Sequence, residues 1–414
     1  MKPSDSLATD YALPGIGPCV RLVGAQPLLP VLQAAMPGWA LTECPLQPTE
    51  PDICVWQQQG GFWQQAPALP KGIWLDSPVG IACSVIADVA GAFLRHHPDY
   101  IGLHCGSAEI DGQLVIFPES HRAGKSTLTS AFAAAGYRIF GDDVVALTPE
   151  GEGLSLGIAP RLRLPLPSAI DETFQDFVKA HQGPKDDRYG YLALDETLLA
   201  NHGIKRPIGT ILLIDRDSRV TSPQLTPLQH GEGLWQLLRQ NFAETLSDQV
   251  LVAKFLPLVQ RMPCFLLRYS DAYQAAEFVG RELKGALHAQ SLTYPTTYST
   301  TYLSPSQAAA IPEAAALERS DQRCWRACKA AHEYPLGDEL FVIVEEGGAI
   351  HRMNITSRAV WALLQHEALS IEELSQTLVG FFMPVSIEQV RNDMAELLGQ
   401  FLAVGLIEPV DCSN

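Results

Sequence analysis

The chain has 414 residues, a length suited to two or three domains, and its 47% hydrophobic and 18% charged content is that of a soluble globular protein. A formal charge of −17 argues against a nucleic-acid partner, which would call for a basic face. Nine scattered cysteines, most of them in apolar stretches, fit a reduced cytoplasmic setting, and the N-terminus lacks a basic-then-apolar signal pattern.

Residues 1–95 read as a small α/β unit. Val20–Val23 and Ile53–Trp56 have strand character, Leu28–Met36 that of a short helix, and Val79–Arg95 that of a longer one. Asp88 interrupts the apolar run of that longer helix, so no membrane span is expected. Trp39, Trp56, Trp63 and Trp74 read as packing residues.

From Tyr100 the pattern turns β-rich. Asp111-Gly112 is a two-residue hairpin signal, and the strand after it, Leu114–Phe117, runs into Ala123-Gly124-Lys125-Ser126-Thr127 and an alanine-rich helix stopped at Gly136. Apolar strands follow at Ile208–Ile214 and Cys264–Tyr269, with helices expected over Gly233–Ala243 and Ala272–Leu287. Residues 289–320, rich in Tyr, Thr, Ser and Pro, read as a linker.

The last segment, 321–414, reads as a separate α+β domain. Strands at Glu339–Val344 and Ala349–Met353 flank a Gly347-Gly348 turn, and three helices follow. Ser370-x-x-Glu373 and Ser386-x-x-Gln389 both have the form of capping boxes, with Val385 and Val390 placed to staple the last helix. Cys324 and Cys328 lie four apart, but no second Cys/His pair follows at zinc spacing.

The chemistry concentrates between Gly102 and Leu147. A strand, a loop ending Gly-Lys-Ser-Thr and a helix form the order in which a protein holds nucleoside-triphosphate phosphates. Gly124 lets backbone amides approach phosphate oxygens, Lys125 supplies a point charge, Ser126 suits Mg²⁺, and the helix opening at Ser126 adds its positive dipole end. Arg122, Ala123 and Thr127 complete the nucleotide-binding stretch. Glu119 stands where the full phosphate-loop pattern has a glycine, so it must point away from the phosphates or the loop must take another shape. Asp142 and Asp143, on a second short strand, would face opposite sides if the strand is extended. One would ligate metal or serve as base. His104, on the first strand of the Asp-Gly hairpin beside the loop strand, is a further catalytic candidate.

His104, the Gly124–Thr127 run and Gly141-Asp142-Asp143 resemble the catalytic half of the HPr kinase/phosphorylase superfamily. In that family a histidine precedes the phosphate loop and a double aspartate follows the lysine by seventeen and eighteen residues, as Asp142 and Asp143 follow Lys125. The resemblance implies an α/β phosphate-loop kinase domain over 96–288, ATP and Mg²⁺ as cofactors, Ser126 and Asp142 at the metal, and Asp143 as base toward a serine. Lys125 and His104 join Asp143 as catalytic residues. The family's downstream phosphorylase signature is not recognisable. Arg161 and Arg188 are candidates for the phosphate-contacting cations it would have supplied.

His351-Arg352-Met353-Asn354-Ile355-Thr356, Val360-Trp361 and Gly405-Leu406-Ile407-Glu408 resemble the PqqD-type peptide-recognition element, a winged-helix-like α+β module. That resemblance implies a leader peptide added as a strand to the third strand and lying against the last helix, with Ile350, Arg352, Val390, Met394 and Leu397 lining the groove. Together the two resemblances imply a cytoplasmic kinase acting on a serine or threonine of a peptide or small protein, with no nucleic-acid or membrane partner and with homo-oligomerisation left open. The alternatives are a non-catalytic, nucleotide-regulated peptide chaperone and a small-molecule kinase.

Overall fold

In the computed structural model of the chain, which describes residues 8–58, 60–118, 124–167, 170–243, 246–284, 323–381 and 385–411, Asp111 and Gly112 turn with φ of 49° and 77°. This left-handed pair is what a two-residue hairpin requires. It joins the strand Cys105–Ile110 to the strand Gln113–Pro118. Gln113–Pro118 lies parallel to the long strand Lys205–Arg216, which in turn lies parallel to Cys264–Tyr269. Leu114, Val115, Ile116 and Phe117 are all fully buried, as expected for a strand covered on both faces. Parallel neighbours need crossover connections. The first carries the helix Lys125–Ala134, and the second carries the helices His230–Arg239 and Asp248–Val259.

Among the described residues the chain divides into two units. Unit 1 is Met1–Leu228, Arg239–Glu244 and Arg261–Pro295; unit 2 is Gln229–Leu238, Thr245–Gln260 and Thr296–Asn414. Most of the helix His230–Arg239 and all of Asp248–Val259 therefore group with the C-terminal segment, although in sequence they fall inside 96–288.

Unit 1 contains a mixed sheet of six strands in the order Thr42–Cys44, Ala8–Leu13, Gly17–Val23, Ile53–Gln58, Gly61–Ala66, Leu69–Leu75. Sequence reading found two of these. The remaining four are short or polar on one face and show little apolar run. The helix Pro78–His96 is long and apolar enough to cross a membrane by length and composition alone, and its buried residues run from Val79 to Phe93. Ser77 caps it by accepting from the Gly80 amide, with Pro78 at its first position. Asp88 is buried on it, and Gln64 donates to its carboxylate.

Unit 2 holds a three-stranded antiparallel sheet, His332–Leu336, Glu339–Ile343 and Ile350–Met353, with Ile350–Met353 at one edge. A second pair joins Cys324–Ala327 to Ile407–Val410. The helices Ile355–His366, Ile371–Leu378 and Ile387–Ala403 pack Trp325, Trp361, Leu374, Val390, Met394 and Leu398 into one core. Ser370 and Glu373 form the reciprocal capping box. The second expected box is only half made. Ser386 accepts from the Gln389 amide, but the Gln389 side chain donates to Asp393, and Val385 stays 38% exposed instead of stapling the helix. Cys324 is disulfide-bonded, whereas Cys19, Cys44, Cys54, Cys83, Cys105, Cys264 and Cys328 are thiols outside any disulfide.

Two helix expectations shift, and one helix is additional. The helix placed over 272–287 ends at Leu283, where Lys284 takes an extended conformation. The helix placed over 233–243 spans His230–Arg239, because Asn241 is drawn into a bridge with Leu103. The helix Asp248–Val259 was not anticipated, and it carries Pro257 near its end, which breaks the sequence signal. The expected linker 289–320 lies outside the described residues.

Candidate functional site

Gly124 is the residue before the first turn of the helix Lys125–Ala134, with φ of 101°. A side chain would be strained there, and a Cβ would come within 3.2 Å of the Tyr269 hydroxyl. The helix thus starts one residue earlier than Ser126, and its first amides have no intrahelical acceptor, which suits them to an anion. Gly136 ends the turn after it with φ of 85°, as its sequence position suggested. Glu119, His121, Arg122 and Ala123 lie outside the described residues.

Lys125 is only 7% exposed, and its Nζ lies 3.0 Å from Nε2 of His104. The same Nε2 lies 2.9 Å from Asp143 Oδ1, and Nδ1 lies 2.9 Å from Gln240 Oε1. Nδ1–H donating to Gln240 leaves Nε2 two options. As a bare lone pair it accepts from Lys125; protonated, it donates to Asp143. His104 therefore stands between a cation and a carboxylate, outside the hairpin strand expected to carry it, at the break between Ile101–Leu103 and Cys105–Ile110.

Asp142 and Asp143 follow the strand Ile139–Gly141 in a bend, so the opposite-face expectation for an extended strand does not apply. Both line the same cleft. Asp142 is 6% exposed; its Oδ2 accepts from the Arg161 amide at 3.1 Å, and it also accepts from the Ser126 hydroxyl. Burial pushes its carboxyl up to about 6, with the Asp143 charge adding to the rise. Asp143 goes the other way. The hydrogen bond from His104 holds it below the ordinary carboxylate range against the effect of burial, helped by the charges of His104, Lys125 and Arg161. Its side chain remains 67% exposed. One aspartate is thus buried on Ser126 and the other is open to the cleft.

The cleft has a volume of about 120 Å³, and its far wall comes from residues that carry no motif: Cys83, Ile86, Ala87 and Ala90 of the helix Pro78–His96, with Tyr191. Arg161 Nη1 donates to the Cys83 thiol, and its guanidinium lies 4.5 Å from the Tyr189 ring centre. Burial raises both the Cys83 thiol and the Tyr191 hydroxyl, so both stay protonated at neutral pH. Arg188 is exposed and does not line the cleft. Of the two candidate cations, Arg161 is the one placed beside the aspartates.

An oxygen pair from Ser126 and Asp142 is the hard donor set that Mg²⁺ takes when substrate phosphates and water supply its other ligands. Among the described residues no group of three or more His, Cys, Asp or Glu side chains could hold a metal by itself. The residues present fit a metal that arrives with phosphate.

In unit 2 the five peptide-side candidates separate. Val390 and Met394 are each 2% exposed and belong to the core, so they do not line an open groove; Leu397 is half-buried against that core. Ile350 and Arg352 are half-buried on the edge strand. Arg352 donates to Glu232 at 2.6 Å and to Glu339 at 2.5 Å.

The family model described as Coenzyme PQQ synthesis protein D (PqqD) matches residues 339–407, from the strand Glu339–Ile343 to the start of Ile407–Val410. The C-terminal segment is therefore PqqD-like. Among solved structures the chain is similar to one described as the Hpr(Ser) kinase/phosphatase from Coxiella burnetii, at 14% identity, covering 45% of this chain and 98% of that chain, with a TM-score of 0.24. No curated protein matches the sequence.

Proposed function

We propose that the chain is an ATP- and Mg²⁺-dependent kinase that phosphorylates a serine or threonine hydroxyl of a peptide delivered by its PqqD-like segment. One observation carries the reading: Lys125, His104 and Asp143 form a continuous contact chain beside the Ser126–Asp142 pair, at the start of a helix whose preceding glycine has positive φ. Phosphoryl transfer needs a cradle, charge neutralisation and a group to orient the acceptor, and little else from the protein.

Ser126 and Asp142 would hold Mg²⁺, which when bound would draw charge from the phosphates. Arg161 brings positive charge to the cleft, and Lys125 brings it to His104 beside Asp143. Asp143 is ionised and exposed, so it can take the proton of the acceptor hydroxyl. The freed oxygen attacks the γ-phosphorus, the bond to the β–γ bridging oxygen breaks, and ADP leaves. His104 keeps Asp143 in place and gives its charge a donor. A PqqD-like segment in the same chain raises the effective concentration of a bound peptide, so weak direct contacts at the cleft can suffice.

The full chain with Mg-ATP and the peptides encoded beside its gene should yield a phosphopeptide detectable by mass spectrometry. Asp143→Asn should slow it by about 10²–10⁴-fold, and Lys125→Ala should remove it. Undiminished product from the Lys125 variant, or ADP formation with no peptide ever modified, would sink the assignment.

A further inference from the structure

The outer side of the edge strand Ile350–Met353 is occupied by the chain's own acids. The Ile350 amide donates to Asp248 Oδ2 at 3.2 Å, from the first residue of the helix Asp248–Val259. Arg352 donates to Glu232 Oε1, from the helix His230–Arg239, as well as to Glu339. Gly231 of that helix sits so close that a Cβ would overlap the Glu339 carboxylate. An edge amide and an edge arginine are what an incoming strand uses, one for a main-chain carbonyl and the other for a side-chain carboxylate. Here both are satisfied from within.

The internal arrangement is incomplete. One guanidinium serves two carboxylates, and Glu232 Oε2 and Glu339 Oε2 are buried with no hydrogen-bond partner among the described residues. Glu339 itself is 5% exposed. A ligand that replaced Glu232 would leave Arg352 and Glu339 paired, and Glu232 would regain water.

The helix that carries Glu232 runs directly into Gln240. The Gln240 side chain meets His104 Nδ1, and its carbonyl accepts from the His104 amide, each at 2.9 Å. The chain passes from unit 2 to unit 1 between Leu238 and Arg239. One short helical piece thus bears the acid on Arg352 at its start and the group that orients His104 just past its end.

We propose that Glu232 and Asp248 hold the peptide edge shut in the free chain, that an extended peptide segment with a carboxylate side chain displaces them, and that the helix then resets His104 through Gln240. The identity of the occupant rests on the peptide-kinase reading; the closure and the link do not. Gln240 is a positioning residue, acting through His104.

The test uses the full chain without nucleotide. Backbone amide exchange follows residues 350–353, and the imidazole ¹⁵N resonances follow His104. Glu232→Gln with Asp248→Ala should speed exchange at Ile350 about tenfold or more and shift the His104 resonances. Gln240→Ala should shift those resonances while leaving Ile350 exchange at the native rate. In the double variant the synthetic peptide Thr-Val-Glu-Val-Thr should slow Ile350 exchange again, and its glutamine counterpart should do so less. Unchanged exchange in the double variant, unmoved His104 resonances, or no difference between the two peptides overturns the proposal. A chain that behaves as expected here yet phosphorylates no peptide loses the kinase assignment alone.

Discussion

Each unit places one guanidinium near two carboxylates, and the two arrangements are opposite in character. In unit 1, Arg161 makes no ion pair among the described residues. Its guanidinium is held by a thiol and an aromatic face, while Asp142 rests on Ser126 and a backbone amide and Asp143 on His104. In unit 2, Arg352 is spent on Glu232 and Glu339, with side-chain exposures of 18%, 14% and 6%. Neutral holders leave a cation's charge available to an anion from solution. Direct pairing with acids consumes that charge and turns the cluster into part of the fold. The same residue types are therefore left with charge to spare in one place and neutralised in the other.

The largest expected effect breaks the closed cluster. Arg352→Met leaves the buried Glu339 and the half-buried Glu232 without their cation, which costs about 3–5 kcal/mol. Urea unfolding followed through Trp325 and Trp361 should show it, and adding Glu339→Leu should recover much of the loss. An Arg352 variant as stable as the native chain would end the view of this cluster as structural. In unit 1 the matching change should act on rate instead. Arg161→Gln should lower kcat by about 10²–10³-fold while the unfolding midpoint moves by less than about 1 kcal/mol equivalent. If Arg161→Gln cost stability and spared turnover, the contrast between the two clusters would collapse.

Legibility in the sequence followed the same division between local and distant. Gly124, Lys125 and Ser126 were readable because positive φ, charge and helix start are fixed within three residues. The Asp111-Gly112 turn, the Ser370 capping box and the strand Cys264–Tyr269 were readable for the same reason. What escaped lies far along the chain from its partner. Gln240 is 136 residues from His104, and Cys83 is 78 from Arg161. Neither residue has a local pattern that announces its partner. A cysteine in an apolar helix reads as packing, and Gln240 reads as a helix end. The groove residues Val390 and Met394 failed differently. A three- and four-residue apolar period marks the side of a helix that packs, and here that side faces the core of unit 2.

A smaller effect separates the units by pH. Ile158 and Ala159 also line the cleft, and their segment is pinned: Ala159 donates to the Ala35 carbonyl, Gly38 to that of Gly157, and His202 to that of Gly38. The His202 ring stacks on Trp39 at 4.4 Å and stands edge-on to Phe93. Its Nδ1 is buried without a hydrogen-bond partner among the described residues. Burial, aided by the nearby His97, lowers its pKa from 6.5 to about 4. Above 6.5 the ring is neutral in folded and unfolded chains alike, and it contributes no pH dependence. As pH falls from 6.5 toward 4 the unfolded chain takes the proton and the folded one does not, so unit 1 loses on the order of 3 kcal/mol across that window. Glu339 in unit 2 has the opposite sign, because burial raises its pKa and acid relieves the cost of its charge. His202→Phe keeps a ring on Trp39 and removes the titration. Thermal unfolding of the variant should fall less steeply between pH 6.5 and 4 than that of the native chain. Parallel profiles would show that the segment carrying Ile158 and Ala159 does not depend on a neutral His202.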